Sequence, residues 1–460
     1  MTAKRRTPAR IASLLALGSL AAPLVNCFDG SADNPPPGSA EVEPGVAPTT
    51  DEPGRKPGRF RKVRSAADTA LDDEQREMNA RLQAIGYLSG SREAVGHGVT
   101  LHRRDKTWAG SNFYTSGHGP VAVLMDMDGV ELHRWEYPFA RAWPGRSRPP
   151  EVLDKEFWRR AYLFENGDVL AIFDGLGIIK LDADSRLIWA SPLPAHHDLT
   201  VMPNGEIYVL SRVAHIVPRV RETAPILEDF ITVLDADGRE KRSVSLLEAF
   251  ENSEYGQLLY ETRSHLDDEW LQKKWRRGDI MHTNSVEVLD GRIADRVPAF
   301  RRGNVLVSLR VPNIVAVVDL EQEKVVWALR GEFKRQHDPR ILANGNLLLF
   351  DNLGRPDESS VIELDPSTGT TRWAYRGSAT VPFFSQSCGT AQRLSNGNTL
   401  VTESDNGRAF EIDADGEIVW EFYNPEQAGK RRQYIATLFE VVRLPPDFPL
   451  AWAHEAGDLE

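Results

Sequence analysis

The stretch Ile341–Phe350, with the sequence ILANGNLLLF, contains the pattern that decides the fold. Its Asn-Gly pair tolerates the positive φ angles of a tight turn, and apolar residues that favour strands lie on both sides. The stretch therefore predicts a β-hairpin. Just ahead of it, His337 stands between Arg335 and Arg340, so that one histidine is predicted at a strand entrance among cationic side chains.

The hairpin pattern recurs along the chain from about Val99 onward. Each copy combines a Gly or Asn-containing turn, two strand patterns, an Asp-x-x-Gly-type turn and a last strand that often ends in tryptophan. A unit of about four strands is typical of a propeller blade, and such a unit does not bury both faces of its sheet alone. The sequence therefore predicts an all-β fold, a six-bladed β-propeller, in which the tryptophans pack blade against blade. The copies contain Gly119 and Trp135, Asn166 and Trp189, Asn204 without a tryptophan, Asn304 and Trp327, Asn344 and Trp373, and Asn396 and Trp420.

Two segments depart from the regular repeat. Between His215 and His282 we expect a long, partly helical insertion, with helices near Leu246–Phe250 and Trp270–Trp275. Long insertions on a rigid scaffold commonly shape or cover a site. The C-terminal run Ile435–Arg443 predicts one more strand, which would complete the first blade and close the ring.

Composition excludes several classes of protein. With 460 residues, 41% of them hydrophobic, the chain can bury a large core but is not a polytopic membrane protein. A formal net charge of -12 argues against general nucleic-acid binding, although a local field can still attract a small anion. The two cysteines, Cys27 and Cys388, imply no disulfide framework. Nothing in the pattern indicates an oligomeric state.

The first 98 residues predict export and a spacer. Residues 1–27 have the basic start and short apolar stretch of a signal peptide. They end in Leu24-Val25-Asn26-Cys27, which resembles a bacterial lipobox, so we expect lipidation of Cys27; an ordinary cleaved signal is the alternative. Residues 28–65 predict a disordered Pro-rich tether, and residues 66–98 a helical extension. The propeller is predicted at residues 99–446, with a C-terminal tail at 447–460. We therefore expect a periplasmic or cell-envelope protein that is tethered to the membrane through lipidated Cys27.

Three histidine sites occupy the same phase of the repeat. His197 and His337 each precede an aspartate and stand seven positions ahead of the Asn of an Asn-Gly turn, and His282 precedes another predicted strand. A propeller gathers the entrances of its inner strands around one funnel, so these side chains should converge there. Either His197 or its neighbour His196 could point inward. The other histidines are expected at surface or packing positions: His97, His102, His118, His133, His215, His265 and His454.

Two further polar residues fit the same funnel. Arg310 follows the predicted strand Val305–Leu309, where its guanidinium could bind an oxyanion through two nitrogens. Asn284 lies two residues after His282. A histidine beside cationic and amide groups suits chemistry on an anion.

Several separate motifs between about Thr100 and Pro446 resemble the bacterial arylsulfate sulfotransferase (arylsulfotransferase, ASST) family. They are His197-Asp198 before Pro203-Asn204-Gly205, His282-x-Asn284, Ser308-Leu309-Arg310, Gln336-His337-Asp338 and the run from Asn396 to Glu403. The resemblance implies an exported six-bladed propeller enzyme. It implies transfer of a sulfuryl group from a phenolic sulfate ester to a phenol, with no nucleotide donor and no cofactor.

The resemblance also implies roles for individual residues. His337 would be the nucleophile that becomes transiently sulfated in a ping-pong scheme. His282, Arg310 and His197 would be catalytic, holding the sulfuryl oxygens and handling the phenolic proton, with Asn284 and His196 as substrate-binding residues. A histidine with a pKa near neutral would protonate the leaving phenolate and later deprotonate the acceptor.

Three other functions remain open at this stage. Asp365–Trp373 resembles the repeat of quinone-dependent propeller dehydrogenases, but the adjacent cysteines typical of that family are missing from the sequence. A non-catalytic, lipid-anchored binding scaffold would not need histidines in phase. Converging imidazoles could instead hold zinc or copper, although we predict no metal. The sequence has neither the Cys-or-Ser-x-Pro-x-Arg motif of formylglycine sulfatases nor a phosphate-binding P-loop.

Overall fold

The computed structural model describes residues 96–146, 156–264, 269–428 and 434–455, with no side-chain account of residues 262–264, 271 and 454–455. The described strands form six blades, each containing a four-stranded antiparallel set. The predicted all-β, six-bladed propeller is therefore confirmed. Cys27, the predicted signal peptide and tether, and the predicted helical extension up to residue 95 lie outside the described residues.

Within blades 2 to 6 the strands follow one another in sequence from the innermost to the outermost, since each strand pairs with the next through a short turn. In chain order, the strands are β1 (Gly98–His102); β2 (Ser111–Ser116), β3 (Val121–Met125) and β4 (Glu131–Glu136) of blade 1; β5 (Trp158–Leu163), β6 (Val169–Phe173), β7 (Gly177–Leu181) and β8 (Leu187–Ser191) of blade 2; β9 (Ala195–Val201), β10 (Ile207–His215), β11 (Ile226–Leu234) and β12 (Glu240–Ser245) of blade 3; β13 (Thr283–Val288), β14 (Val305–Leu309), β15 (Ile314–Asp319) and β16 (Lys324–Leu329) of blade 4; β17 (His337–Ile341), β18 (Leu347–Arg355), β19 (Glu358–Leu364) and β20 (Thr371–Arg376) of blade 5; β21 (Thr390–Arg393), β22 (Thr399–Glu403), β23 (Arg408–Ile412) and β24 (Ile418–Tyr423) of blade 6; then β25 (Gln427–Ala428), β26 (Tyr434–Ile435) and β27 (Leu438–Leu444).

The ring is closed by strands from both ends of the described chain. Strand β27 pairs with β2 and supplies the innermost strand of blade 1, as the sequence predicted. Strand β1 pairs with β24 and adds a fifth strand to the outer edge of blade 6. The first blade thereby obtains its fourth strand from the C-terminal part of the chain.

Tryptophans of the outer strands pack against the following blade. The indole nitrogens of Trp135, Trp189 and Trp420 donate hydrogen bonds to the carbonyls of Gly167, Ala236 and Met127, respectively, each in the next blade around the ring. Buried aliphatic residues fill the space between neighbouring sheets. The predicted blade-to-blade role of the recurring tryptophan is therefore confirmed for these three.

The insertion is shorter than the sequence predicted. Strands β10 and β11 pair without interruption from Ile207↔Leu234 to His215↔Ile226, so the chain after His215 returns directly into blade 3. The non-propeller part begins after β12 and contains α2 (Leu246–Glu251), α3 (Gly256–Ser264) and α4 (Glu269–Arg276), which confirms the two predicted helices and adds one between them. Elsewhere lie α1 (Phe139–Ala142), α5 (Ala451–Glu455) and the 3-10 turns Pro298–Phe300 and Ser404–Asn406.

Helix α2 joins the insertion to the core. Ser245 caps its first turn by accepting a hydrogen bond from the Glu248 amide, and Leu246, Leu247 and Phe250 are buried. Within the described part of the chain, no helix has the length and apolarity that a membrane crossing requires.

Candidate active site

The entrances of three inner strands are bent by residues in the left-handed region of φ. These residues are His197 with φ 58°, His282 with φ 52° and Asp338 with φ 51°. The register of the β9–β10, β13–β14 and β17–β18 pairs shifts at or next to these positions. Positive φ is uncommon for residues other than glycine, and such bulges re-aim side chains, often at functional sites.

Around these bends the structure gathers five of the predicted site residues: His197, His282, Asn284, Arg310 and His337. We call this group the histidine layer. All five are buried, at 3–5% exposure. The rings of His197 and His282 lie 5.0 Å apart between centroids. The repeat phase read from the sequence thus corresponds to proximity in space.

The orientation of His337 is fixed by Asn352. The Asn352 amide nitrogen donates to the carbonyl oxygens of Ser385 at 2.8 Å and Cys388 at 2.6 Å. Because both carbonyls can only accept, the amide oxygen faces His337, whose Nδ1 lies 2.7 Å away. Nδ1 therefore carries the proton, and the lone pair is on Nε2.

His337 is also kept neutral. Burial lowers its pKa well below the usual histidine range, and the Arg310 guanidinium acts in the same direction, while the hydrogen bond to Asn352 opposes the shift. A neutral imidazole with a fixed tautomer has a nucleophilic nitrogen at ordinary pH. Among the described residues no hydrogen-bond partner is found for His337 Nε2.

His282 is held by a carboxylate. Its Nδ1 lies 2.7 Å from Asp279 Oδ2, and the same oxygen is 2.5 Å from Lys274 Nζ on α4. Burial lowers the pKa of His282 well below its usual range, although the Asp279 charge raises it. A histidine oriented by an anionic partner has the arrangement of a general acid or base.

The two adjacent histidines occupy different places. His197 contacts the His282 ring, whereas His196 Nε2 lies 3.6 Å from Asp229 Oδ1, and the two Nδ1 atoms are 2.8 Å apart. Burial raises the pKa of Asp229 to about 7. His197 is thus the member of the pair in the histidine layer, and His196 lies behind it against a carboxyl group.

Arg310 is held between the funnel and the insertion. Its Nη2 donates to the carbonyl of Gln386 at 3.1 Å, and its guanidinium carbon lies 4.6 Å from the centre of the Trp270 ring. The Arg335 guanidinium lies 4.2 Å from the same ring. Trp270 belongs to α4, so the insertion contributes a wall of the site and orders two cations beside it.

Asn284 binds the backbone next to His337. Its amide nitrogen donates to the carbonyl of Gln336 at 2.7 Å. The Gln336 side chain in turn donates to Ser308 Oγ at 3.0 Å and to the carbonyls of Leu309 and Ile314. Blades 4 and 5 are joined at this point, which fixes the start of β17.

Beside the histidine layer, charged residues of four inner strands form a network of ion pairs: Arg160, Asp198, Asp338, Arg340 and Glu440. We call this network the charge layer. Arg160 contacts Asp198 at 2.8 Å, Glu440 at 2.5 Å and Asp338 at 3.5 Å. Arg340 contacts Asp338 at 2.6 Å and Asp198 at 2.9 Å. Inner strands of blades 1, 2, 3 and 5 are thereby tied together across the central channel.

Sequence reasoning missed Asn352, Asp279 and Trp270. Asn352 lies two residues after the quoted stretch Ile341–Phe350, but no spacing rule links it to His337. Asp279 stands three residues before His282, which was a readable signal. The described residues contain no group of three or more histidine, cysteine or carboxylate side chains placed to hold a metal ion.

Solved structures with similar backbones have low sequence identity. A protein of unknown function from Bacteroides caccae is 14% identical, with a TM-score of 0.45, over 72% of this chain and 98% of that chain. A virginiamycin B lyase from Staphylococcus aureus is 12% identical, with a TM-score of 0.38, over 77% and 98%. The Dos1 propeller is 11% identical, with a TM-score of 0.38, over 73% and 78%. These similarities concern the backbone alone.

No curated protein matches the sequence significantly. A family model does match: the one for Arylsulfotransferase (ASST) covers residues 160–425, more than half of the chain. The matched range contains all five members of the histidine layer. The chain therefore belongs to the arylsulfotransferase (ASST) family.

Proposed function

We propose that this protein transfers a sulfuryl group from a phenolic sulfate ester to a phenolic acceptor by a two-step mechanism through His337. The observation that carries the proposal is the state of His337. Its ring is buried and neutral, its Nδ1 proton is held by Asn352, and its Nε2 lone pair has the Arg310 charge nearby. Family membership supports the same class of reaction.

In the first step, His337 Nε2 attacks the sulfur of the donor. A nitrogen–sulfur bond forms and the sulfur–oxygen bond to the aryl group breaks, leaving its electron pair on the phenolate oxygen. The bound ester is an anion, and a nearby anion raises the pKa of His282. The protonated form of His282 then gives its Nε2 proton to the phenolate, and the free phenol leaves.

In the second step, neutral His282 takes the proton of the acceptor phenol. The acceptor oxygen attacks sulfur, the nitrogen–sulfur bond breaks, and its electron pair returns to His337 Nε2. The sum converts one aryl sulfate and one phenol into the other aryl sulfate and phenol. Splitting the transfer in this way replaces one difficult displacement by two easier ones.

Arg310 and His197 would stabilise charge on the sulfuryl oxygens. Both are buried, so their dipoles and charges act where water does not screen them. The electrostatic demand is the same as in phosphoryl transfer, where catalysis consists largely of positioning and charge stabilisation.

The test is acceptor-dependent release of a chromogenic phenol from its sulfate ester. The wild-type protein should release the phenol faster when a second phenol is added, and His337→Ala should abolish this release. His97→Ala, at an exposed histidine, is the matched control and should behave as wild type. Equal background release from wild type and His337→Ala, across several donors and acceptors, would contradict the proposal.

We also propose that the enzyme works outside the cytoplasm, tethered through lipidated Cys27. The basic start, apolar stretch and lipobox-like ending of residues 1–27 support this location. In a bacterial host, the wild-type protein should fractionate with membranes, and Cys27→Ser should release it. Unchanged membrane association of the variant would contradict the tether.

A further inference from the structure

Arg159 stands where two other blades place a histidine. It lies seven positions ahead of Asn166 in the turn of blade 2, as His197 and His337 lie seven ahead of Asn204 and Asn344. The register of the β5–β6 pair also shifts at this point, between Trp158 and Arg160. Arg159 is therefore the residue that blade 2 contributes at the level of the histidine layer.

The surroundings of Arg159 differ from those of every arginine in the charge layer. Its side chain is 4% exposed, and Nε is buried without a hydrogen bond. Among the described residues its guanidinium has no carboxylate within ion-pair distance, and its contact is the face of the Phe439 ring at 5.0 Å. A buried guanidinium without an anionic partner is costly in free energy, so the position calls for an anion from outside the chain.

Arg159 faces the reacting histidine. In a six-bladed ring, blade 2 lies across the funnel from blade 5, which carries His337. Phe439, which contacts Arg159, stacks on Phe157 at 4.8 Å, and both pack with Cys388. The Cys388 carbonyl binds Asn352, which holds His337. The positive charge of Arg159 also acts to lower the pKa of His337.

We propose that Arg159 binds the oxygens of the transferred sulfuryl group from the side of the funnel opposite His337, as a second guanidinium beside Arg310. The proposal rests on the proposed function for the identity of the anion. Nε and the terminal nitrogens of Arg159 supply donors in a fixed fork, which suits a tetrahedral oxyanion. Phe439 keeps the guanidinium plane in place.

The experiment measures binding of inorganic sulfate by titration calorimetry and, separately, aryl sulfate turnover. Wild type is compared with Arg159→Gln, Arg159→Lys and Arg186→Gln. Arg186 is the matched control because it lies in the same blade with a 74% exposed side chain. We expect Arg159→Gln to weaken sulfate binding by at least about tenfold, the effect of losing one charge-assisted contact. Arg159→Lys, which keeps the charge but not the fork and is less disruptive to packing, should lie between Arg159→Gln and wild type.

The outcomes separate the two proposals. Sulfate binding that is equal in wild type and both Arg159 variants, or absent from wild type, overturns the role of Arg159. Loss of binding in Arg159→Gln with retention in Arg186→Gln supports that role, whether or not phenolic esters are turned over. Absence of turnover in wild type that still binds sulfate through Arg159 would instead overturn the phenolic donor. Melting curves of all variants establish that each is folded before binding is compared.

Discussion

The histidine layer and the charge layer meet on the inner strands β9 and β17, where adjacent residues satisfy their polar groups in opposite ways. His197 contacts the ring of His282, and burial lowers the pKa of His337, whereas Asp198 and Asp338, one residue later, are held in ion pairs. Arg159 and Arg160 repeat the contrast. A shift of one strand position therefore decides whether a polar residue ties the blades together or is available to a ligand.

The bulges make this division possible. In a regular strand, neighbouring side chains point to opposite faces of the sheet. The positive φ angles at His197 and Asp338 interrupt that alternation at the strand entrances, so that consecutive residues of one strand serve both layers. The ion pairs and blade contacts around these residues offset the conformational free energy that the positive φ angles cost.

The largest effect is expected from breaking the charge layer at Arg160. Arg160→Met would remove a positive charge that pairs with the carboxylates of Asp198, Asp338 and Glu440, since Arg160 contacts all three. Removing one partner of a buried ionic group typically costs about 3–5 kcal/mol of unfolding free energy. Urea denaturation of wild type and Arg160→Met measures this difference in unfolding free energy. A loss below about 1 kcal/mol, the range of surface substitutions such as Arg186→Met, would contradict the structural role of the layer.

Under the proposed function, a smaller effect is expected from Asn352, which orients His337. Asn352→Leu removes the acceptor that fixes the tautomer, and loss of such an outer contact costs about 10–100-fold in activity. Asn352→Asp keeps an acceptor for His337 but loses the donation to the Ser385 and Cys388 carbonyls, so it should recover only part of the rate at alkaline pH. The negative charge that this substitution adds raises the pKa of His337. As pH is lowered, the activity of Asn352→Asp should therefore begin to fall at a higher pH than the activity of wild type. Identical pH profiles for wild type and Asn352→Asp would contradict the contact.

Trp270 tests whether the insertion orders Arg310 of the histidine layer and Arg335 beside it. Trp270→Leu removes the aromatic face that holds Arg310 and Arg335. A cation–π contact of about 1 kcal/mol corresponds to roughly fivefold in affinity, so KM for the aryl sulfate should rise several-fold. Trp270→Phe retains a weaker face and should be closer to wild type. An unchanged KM in Trp270→Leu would contradict a contribution of the insertion to aryl sulfate binding.

The smallest effect is expected from pH. The folded pKa of His337 is lowered, so the neutral form persists as pH falls below the ordinary histidine value of 6.5. The rate of the first step in rapid mixing should therefore not fall between pH 7.5 and pH 6. An ordinary histidine would lose about fourfold of its neutral form over that interval. A fourfold fall in rate would show that His337 is not neutralised by its surroundings.

The sequence predicted what depends on local turn chemistry and repeat phase. The Asn-Gly turns define where each inner hairpin begins, and the spacing from turn to histidine places His197 and His337 at equivalent positions. Ring closure by the C-terminal strand followed from the incomplete first repeat. These features need no knowledge of tertiary contacts.

What the sequence did not predict depends on contacts between distant segments. The orientation of His337 comes from Asn352, whose own orientation is set by the Ser385 and Cys388 carbonyls in the connection between β20 and β21. The predicted insertion is longer than the observed one because β10 and β11 extend beyond the usual strand length. Arg159 was overlooked because its blade carries no histidine, although its spacing matched.

The most direct test is to look for the sulfated intermediate. The wild-type protein is mixed with an aryl sulfate without acceptor, quenched at alkaline pH, digested and analysed by tandem mass spectrometry. We predict one sulfo group on the imidazole of His337, its disappearance when a phenol is added before quenching, and its absence from His337→Ala. A sulfo group on His197 or His282 instead, or rapid turnover without any labelled histidine, would contradict the central role of His337.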